Sequence, residues 1–227
     1  MPSPRLDTTS PPSSLPHTLP SMEAFYSRCL IEEERLLNDL LSVPQDRPDL
    51  QIPLISRMLS QWAEYYNRKS QLAERDIFQV FSPYWLTPVE QTYLWLGGLK
   101  PDIIFHFVPP GLSNDQRRDM EQLKMQMVQR QTELEERMRH VEEAMTVLMT
   151  LAAVHGHVRN GEARGEAALR VADLMRVVFY DADTLRRHVV TRTIQIQSTA
   201  QTVLFLVSAV NFHLRLRQYG LHGSVRD

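Results

Sequence analysis

WLTPVEQTYLWLGGLKP (residues 85–101) packs two tryptophans, two prolines and a glycine pair into one short run. Thr87 is placed to act as an N-cap, Pro88 falls at the first helical position and Glu90 at the third. That is the spacing of a capping box with proline in its preferred place. Gly97 and Gly98 can take the left-handed conformation that ends helices. Pro101 can open the next short helix, PDIIFHFV. Between these signals Tyr93, Leu94, Trp95 and Leu96 form a segment apolar on most sides, which implies burial on most sides. The expectation is a helical hairpin wedged into a core, and no catalytic group is needed to explain it.

Working outward, nearly every segment after residue 20 reads as helix, and no alternating strand pattern competes. A first helix begins near Ser21, carries Phe25, Cys29, Leu36 and Leu40 on one face, and ends at Pro44. A second is expected to start at Pro53 and run through Trp62, Tyr65 and Tyr66 toward Phe81, where Ser82-Pro83 closes it. Ser113 with Gln116, and Ser198 with Gln201, repeat the capping-box spacing. The helix after Ser113 is the longest, reaching about Val154, with apolar residues at alternating steps of three and four: Met120, Leu123, Met127, Leu134, Val141, Ala144, Leu148 and Leu151. Arg130 and Arg137 interrupt that seam. Two readings stay open, an imperfect coiled-coil pairing and an amphipathic helix packed on its own domain. If the domain pairs, Met127, Leu134 and Val141 mark the candidate interaction face. The glycine-rich stretch at 155–166 reads as a loop or frayed helix end. The last helix ends in HLRLRQYG, where Arg215 and Arg217 complement the helix dipole.

With 227 residues the chain fits one all-α domain, an antiparallel helical bundle with one long amphipathic helix. Its expected limits are 21–219, between a Pro/Ser/Thr-rich segment at 1–20, disordered because it cannot offset its ordering entropy by burial, and a flexible tail at 220–227. The formal net charge of −2 favours neither nucleic acid nor a membrane surface. A single cysteine, Cys29, excludes an internal disulfide and suits a reducing compartment, cytoplasm or nucleus. The most apolar later run, TVLFLVSAV at 202–210, is far too short to span a bilayer.

No phosphate-cradling glycine loop, nucleophile elbow, zinc-protease motif or EF-hand loop is present. His155-x-His157 lacks the third ligand that a metal site needs. His106, His140, His188 and His213 are scattered over separate helices and read as core-edge or surface residues. Arg117, Arg118 and Lys124 are too sparse, and too mixed with acids, for a DNA-contacting basic region. No enzyme constellation, cofactor or metal is expected, and no direct DNA binding.

Several stretches together resemble the plant Delay of Germination (DOG) domain family, whose domain also forms the C-terminal half of the TGA leucine-zipper transcription factors. FYSRCL is similar to that family's opening helix, with Cys29 where the family usually has Trp. The segment from Gln61 to Pro101 carries the most specific likeness: Tyr65-Tyr66, Lys69, Ala73, Asp76, Ser82-Pro83, Trp85 and Leu94-Trp95-Leu96-Gly97-Gly98 before Pro101. LSNDQRRDMEQLKMQMVQRQTELEERM resembles its long Gln- and Glu-rich helix, and LFLVSAVNFHLRLRQYG its closing helix. The lead-in QIQSTAQ lacks the family's usual Leu-Thr-Pro. Tyr65, Tyr66, Trp85, Glu90, Trp95, Gly97, Gly98 and Pro101 are the expected signature and structural positions.

The resemblance implies a non-enzymatic plant regulator that acts by protein contact. Its settings would be abscisic-acid, stress or seed-dormancy linked transcription, its partners TGA-type factors or signalling proteins, with a homodimer also open. Two alternatives accompany it: a membrane-domain factor of the pollen-aperture type, and a helical domain sensing a small ligand, lipid or haem. No histidine pair at i and i+4 matches the haem-binding relatives, so that property is not carried over.

Overall fold

A computed structural model describes residues 21–44, 46–154 and 161–223. The segment at 1–20, His155-x-His157 and the last residues of the tail lie outside them. Among the described residues seven α-helices follow in order: α1 Met22–Ser42, α2 Pro48–Arg75, α3 Ile77–Phe81, α4 Pro88–Gln91, α5 Asn114–Val154, α6 Gly161–Ile196 and α7 Thr199–His222. Between α4 and α5 lie strands β1 (Leu94–Trp95) and β2 (Gly98–Leu99) and a 3₁₀ helix, Pro101–Phe107. The all-α class holds, with this two-stranded ribbon as its one addition among the described residues.

The ends of these helices follow from local chemistry. Ser21 caps α1 by accepting from Ala24 N. Thr87 and Ser198 form complete capping boxes with Glu90 and Gln201, and Ser113 exchanges both bonds with Gln116. Four boundaries differ from expectation. Pro48, not Pro53, takes the first turn of α2, where a missing N–H costs nothing, and Pro53 sits inside the helix. Asp76 breaks the expected continuous run to Phe81: it turns extended, with φ −154°, and its carboxylate caps α3 by accepting from Phe78 N and Gln79 N. At the other end, α7 continues past Tyr219 to His222, and α6 already begins at Gly161.

Helices α1, α2 and α7 pack together around Leu36, Leu40, Met58, Phe205, Leu206 and Val210. Helices α5 and α6 form a long antiparallel hairpin: Gln116 bonds Ile196 O near one end, and Arg137 pairs with Asp181 further along. Its seam joins Met127 and Leu134 to Ala182, Leu185 and Val189, and Val141 to Met175, Val178 and Phe179. Met127, Leu134 and Val141 are therefore buried inside this chain. The apolar stripe offered as a partner face is covered by α6, because an amphipathic stripe with a complementary neighbour in its own domain is satisfied without a second protein. The end of α2, α3 and the 3₁₀ helix join the two halves.

Candidate functional site: a cavity closed by the β-hairpin

The segment 92–99 corrects the expected helix. After α4, Leu94 pairs with Leu99 and Trp95 with Gly98, leaving Leu96 and Gly97 as a two-residue loop. Both loop residues have positive φ, 46° and 77°, the pattern of a type I′ turn that matches the twist of paired strands. Such turns usually advertise themselves by Asn-Gly. Leu-Gly hid this one. Gly97 is needed for its φ and because a Cβ would stand 3.0 Å from both Phe179 and Val80 side chains.

Gly98 is needed for a different reason. A Cβ there would stand 2.8 Å from Arg186 Cζ and 2.9 Å from Lys69 Nζ. Arg186, on α6, holds the hairpin by its carbonyls: Nε donates to Leu99 O at 2.7 Å and Nη2 to Leu96 O at 3.1 Å and to Trp95 O. Its guanidinium also lies over the Trp95 ring, whose Nε1 donates to Glu135 on α5 at 2.9 Å. The hairpin is thereby fastened to both long helices.

Behind it lies a cavity of about 170 Å³ with mainly apolar walls. One wall is the α2 face that presents Gln61, Trp62, Tyr65, Tyr66 and Lys69, residues one and two turns apart. Helices α6 and α7 contribute Arg186, Val190, Phe205 and His213, and the hairpin and 3₁₀ helix contribute Leu94, Gly98, Leu99 and Ile104. Of the expected signature residues, Tyr65, Tyr66, Glu90, Gly97, Gly98 and Pro101 line it, whereas Trp85 and Trp95 support it from outside.

Two buried polar groups of residues meet this cavity. At the Lys69 end, Lys69 and Arg186 share the single carboxylate of Asp183, Lys69 Nζ at 3.2 Å from Oδ1, with all three side chains about 2% exposed or less. The rings of Tyr65, Tyr66 and Phe179 lie 5.1–5.7 Å from the ammonium. Burial, with Arg186 adding to it, pushes the Lys69 amine down to about 8 against the pull of Asp183. Arginine does not yield its proton. Lysine is the member of the cluster that can.

Near Trp62, Glu33 accepts from Trp62 Nε1 at 3.0 Å and lies 2.7 Å from His213 Nδ1. The other ring nitrogen is 2.8 Å from Tyr26 Oη, which donates to Glu90 at 2.6 Å. Arg217 closes the chain, donating to Glu90 and to Trp85 O. Burial alone would lower the His213 pKa; the Glu33 carboxylate outweighs it and holds the imidazole above its usual range. Burial would likewise raise Glu90, but the bonds from Tyr26, Thr87 and Arg217 hold it below the usual carboxylate range.

Sequence reading placed His213 at a core edge and assigned Arg217 to the helix dipole; both are structural partners of buried acids. It missed Asp183 and Arg186 altogether. The one available signal was Asp183 and Arg186 three residues apart on an otherwise apolar α6 face, beside the Lys69 that already stood in the family-like segment.

Residues 34–110 match the sequence model of the DOG1 family, described as seed dormancy control. They span the second half of α1 through the hairpin and the 3₁₀ helix. The chain carries a DOG1-type segment over those residues. Among its relatives it is 28% identical to Protein ZW2 of Arabidopsis thaliana, over 74% of this chain and 80% of that one. It is 27% identical to Protein DOG1-like 4 of the same plant, over 86% and 90%. It is 25% identical to transcription factor TGA2.3 of rice over 85% of this chain, which spans 61% of that factor's length. These relatives are plant proteins, and one of them is a transcription factor. No helix of the described residues is long and apolar enough to cross a membrane.

Proposed function

We propose that this protein regulates transcription in plants through contacts with other proteins, TGA-type factors among them, and carries no enzymatic activity of its own. The observation that supports it best is the match to TGA2.3 over 85% of this chain: what the two share is the helical domain itself. Domains of one family can pair with each other, so a TGA-type factor or a second copy of this chain is the natural partner. Abscisic-acid, stress and seed-dormancy responses are the settings this reading favours, with the nucleus as the working compartment and the cytoplasm as the other.

The partner surface cannot be the buried α5 seam. Leu169, Leu174 and Val177 on α6 and Val147 on α5 are exposed apolar residues of the hairpin, and they replace it as the candidate face. Affinity capture of a TGA-type factor by the tagged full chain tests the reading. Capture by the parent chain, lost in Leu174→Glu/Val177→Glu, is the expected result, with nuclear accumulation of a fluorescent fusion. Enrichment in patches at the cell cortex, without capture, would overturn it in favour of the aperture-type role.

The cavity supports a second reading, a domain that senses a lipid-like ligand. Its walls suit an apolar chain. His213, the histidine in those walls, has both ring nitrogens engaged, which does not favour haem. Native mass spectrometry of purified protein, with and without organic extraction, tests for such a ligand.

A further inference from the structure

Lys69 has an unusual position for a lysine. Its side chain is about 2% exposed, yet its ammonium forms part of the wall of an apolar cavity. It is not consumed by the ion pair it makes: Asp183 Oδ1 is shared with Arg186, and three aromatic rings fill the surroundings. Arg186, by contrast, spends its donors on Asp183 and on three hairpin carbonyls. Of these two buried cations, the lysine is the one left with unused donor capacity facing the cavity.

We propose that Lys69 is a covalent docking site for an apolar aldehyde, held as a protonated imine with Asp183 as its counter-ion. This deepens the ligand-sensing reading and rests on it. The neutral amine adds to the carbonyl carbon and forms the C–N bond. The carbonyl oxygen then leaves as water, carrying two of the three protons of the original ammonium. One positive charge stands at the nitrogen before and after, so the Asp183 pairing survives the reaction. Apolar walls exclude the bulk water that would reverse it. Burial also raises the fraction of uncharged amine at neutral pH, since the group loses its proton near 8. The occupant's length is set by the wall: Lys69 and Trp62 lie seven residues apart on α2, roughly 10 Å along its axis.

The chain has three lysines, Lys69, Lys100 and Lys124, which makes the test direct. Lys100 also borders the cavity, but it is half exposed and pairs with Asp102. The full chain is incubated at pH 7 with octanal and cyanoborohydride, and the reduced adducts are mapped by peptide mass spectrometry. The expected result is alkylation of Lys69 more than about tenfold faster than of Lys100 and Lys124, with the preference abolished in urea. The urea arm uses the native sequence and needs no folded variant; Lys69→Arg, where it folds, removes the fast adduct. Equal labelling of the three lysines in the folded chain, or labelling that spares Lys69, overturns the proposal. Native mass spectra taken without reductant separate two failures. Octanal retained and then lost on denaturation, with no Lys69 adduct, would leave the cavity as a non-covalent site and sink the imine. No retention and no adduct would sink both readings.

Discussion

Lys69 Nζ lies 3.2 Å from Asp183 Oδ1, 114 residues away in the chain, and both side chains are closed to solvent. The pair joins α2 to α6 behind the β-hairpin and brings Arg186 with it.

Two buried cations on one carboxylate make Asp183 the critical member. Asp183→Asn leaves Lys69 and Arg186 facing each other without a counter-charge, and should cost about 3–5 kcal/mol in urea unfolding. Adding Lys69→Met to that variant removes one stranded charge and should recover part of the loss. A double variant no more stable than Asp183→Asn would mean that the two residues are not coupled.

Glycine 98 should be irreplaceable for a reason of space. Gly98→Ala puts a methyl 2.8 Å from the Arg186 guanidinium and 2.9 Å from Lys69, so about 1–3 kcal/mol of stability is lost. Gly165, within α6, has nothing within 4 Å of its added methyl. Its alanine variant should be unchanged or gain up to about 1 kcal/mol. Thermal denaturation of the two variants side by side checks the contrast.

His213 should make stability depend on pH. Its folded value is raised above 6.5 by Glu33, so its contribution is complete below about pH 6.5 and is lost as pH rises through the folded value. The difference in unfolding free energy between the parent chain and His213→Gln should therefore shrink with rising pH, by on the order of 1 kcal/mol. Lys69 acts in the opposite direction above pH 8, but equally in both proteins, and cancels in the difference. A constant difference from pH 5 to 9 would show that the Glu33 contact does not hold the imidazolium.

The two faces of the α5–α6 hairpin should respond differently to charge. Leu134→Glu/Val141→Glu buries two carboxylates in the seam and should unfold the chain or cost more than about 4 kcal/mol. Leu174→Glu/Val177→Glu, on exposed positions, should change stability by about 0.5 kcal/mol or less per site. Circular dichroism with urea titration distinguishes them, and only the second pair is then fit to report on partner binding.

What the sequence by itself determined was whatever local spacing encodes. Ser21, Thr87, Ser113 and Ser198 stand where the helices begin because a cap needs only its own next three residues. The periodicity of α5 announced an amphipathic helix, and the segment from Gln61 to Pro101 carried the family resemblance. Tertiary structure decided the rest. A stripe of period three and four says that a helix has a partner, but not whether the partner is its own α6 or another molecule; Met127, Leu134 and Val141 are covered because α6 folds back and the hairpin region packs beside it. The hairpin at 94–99 was hidden because two-residue strands have no period to read, and because Leu96 is not a residue type that signals a positive φ. Lys69, Asp183 and Arg186 looked like three ordinary charges. Their burial together comes from contacts across 114 residues of chain, and no local pattern carries that information.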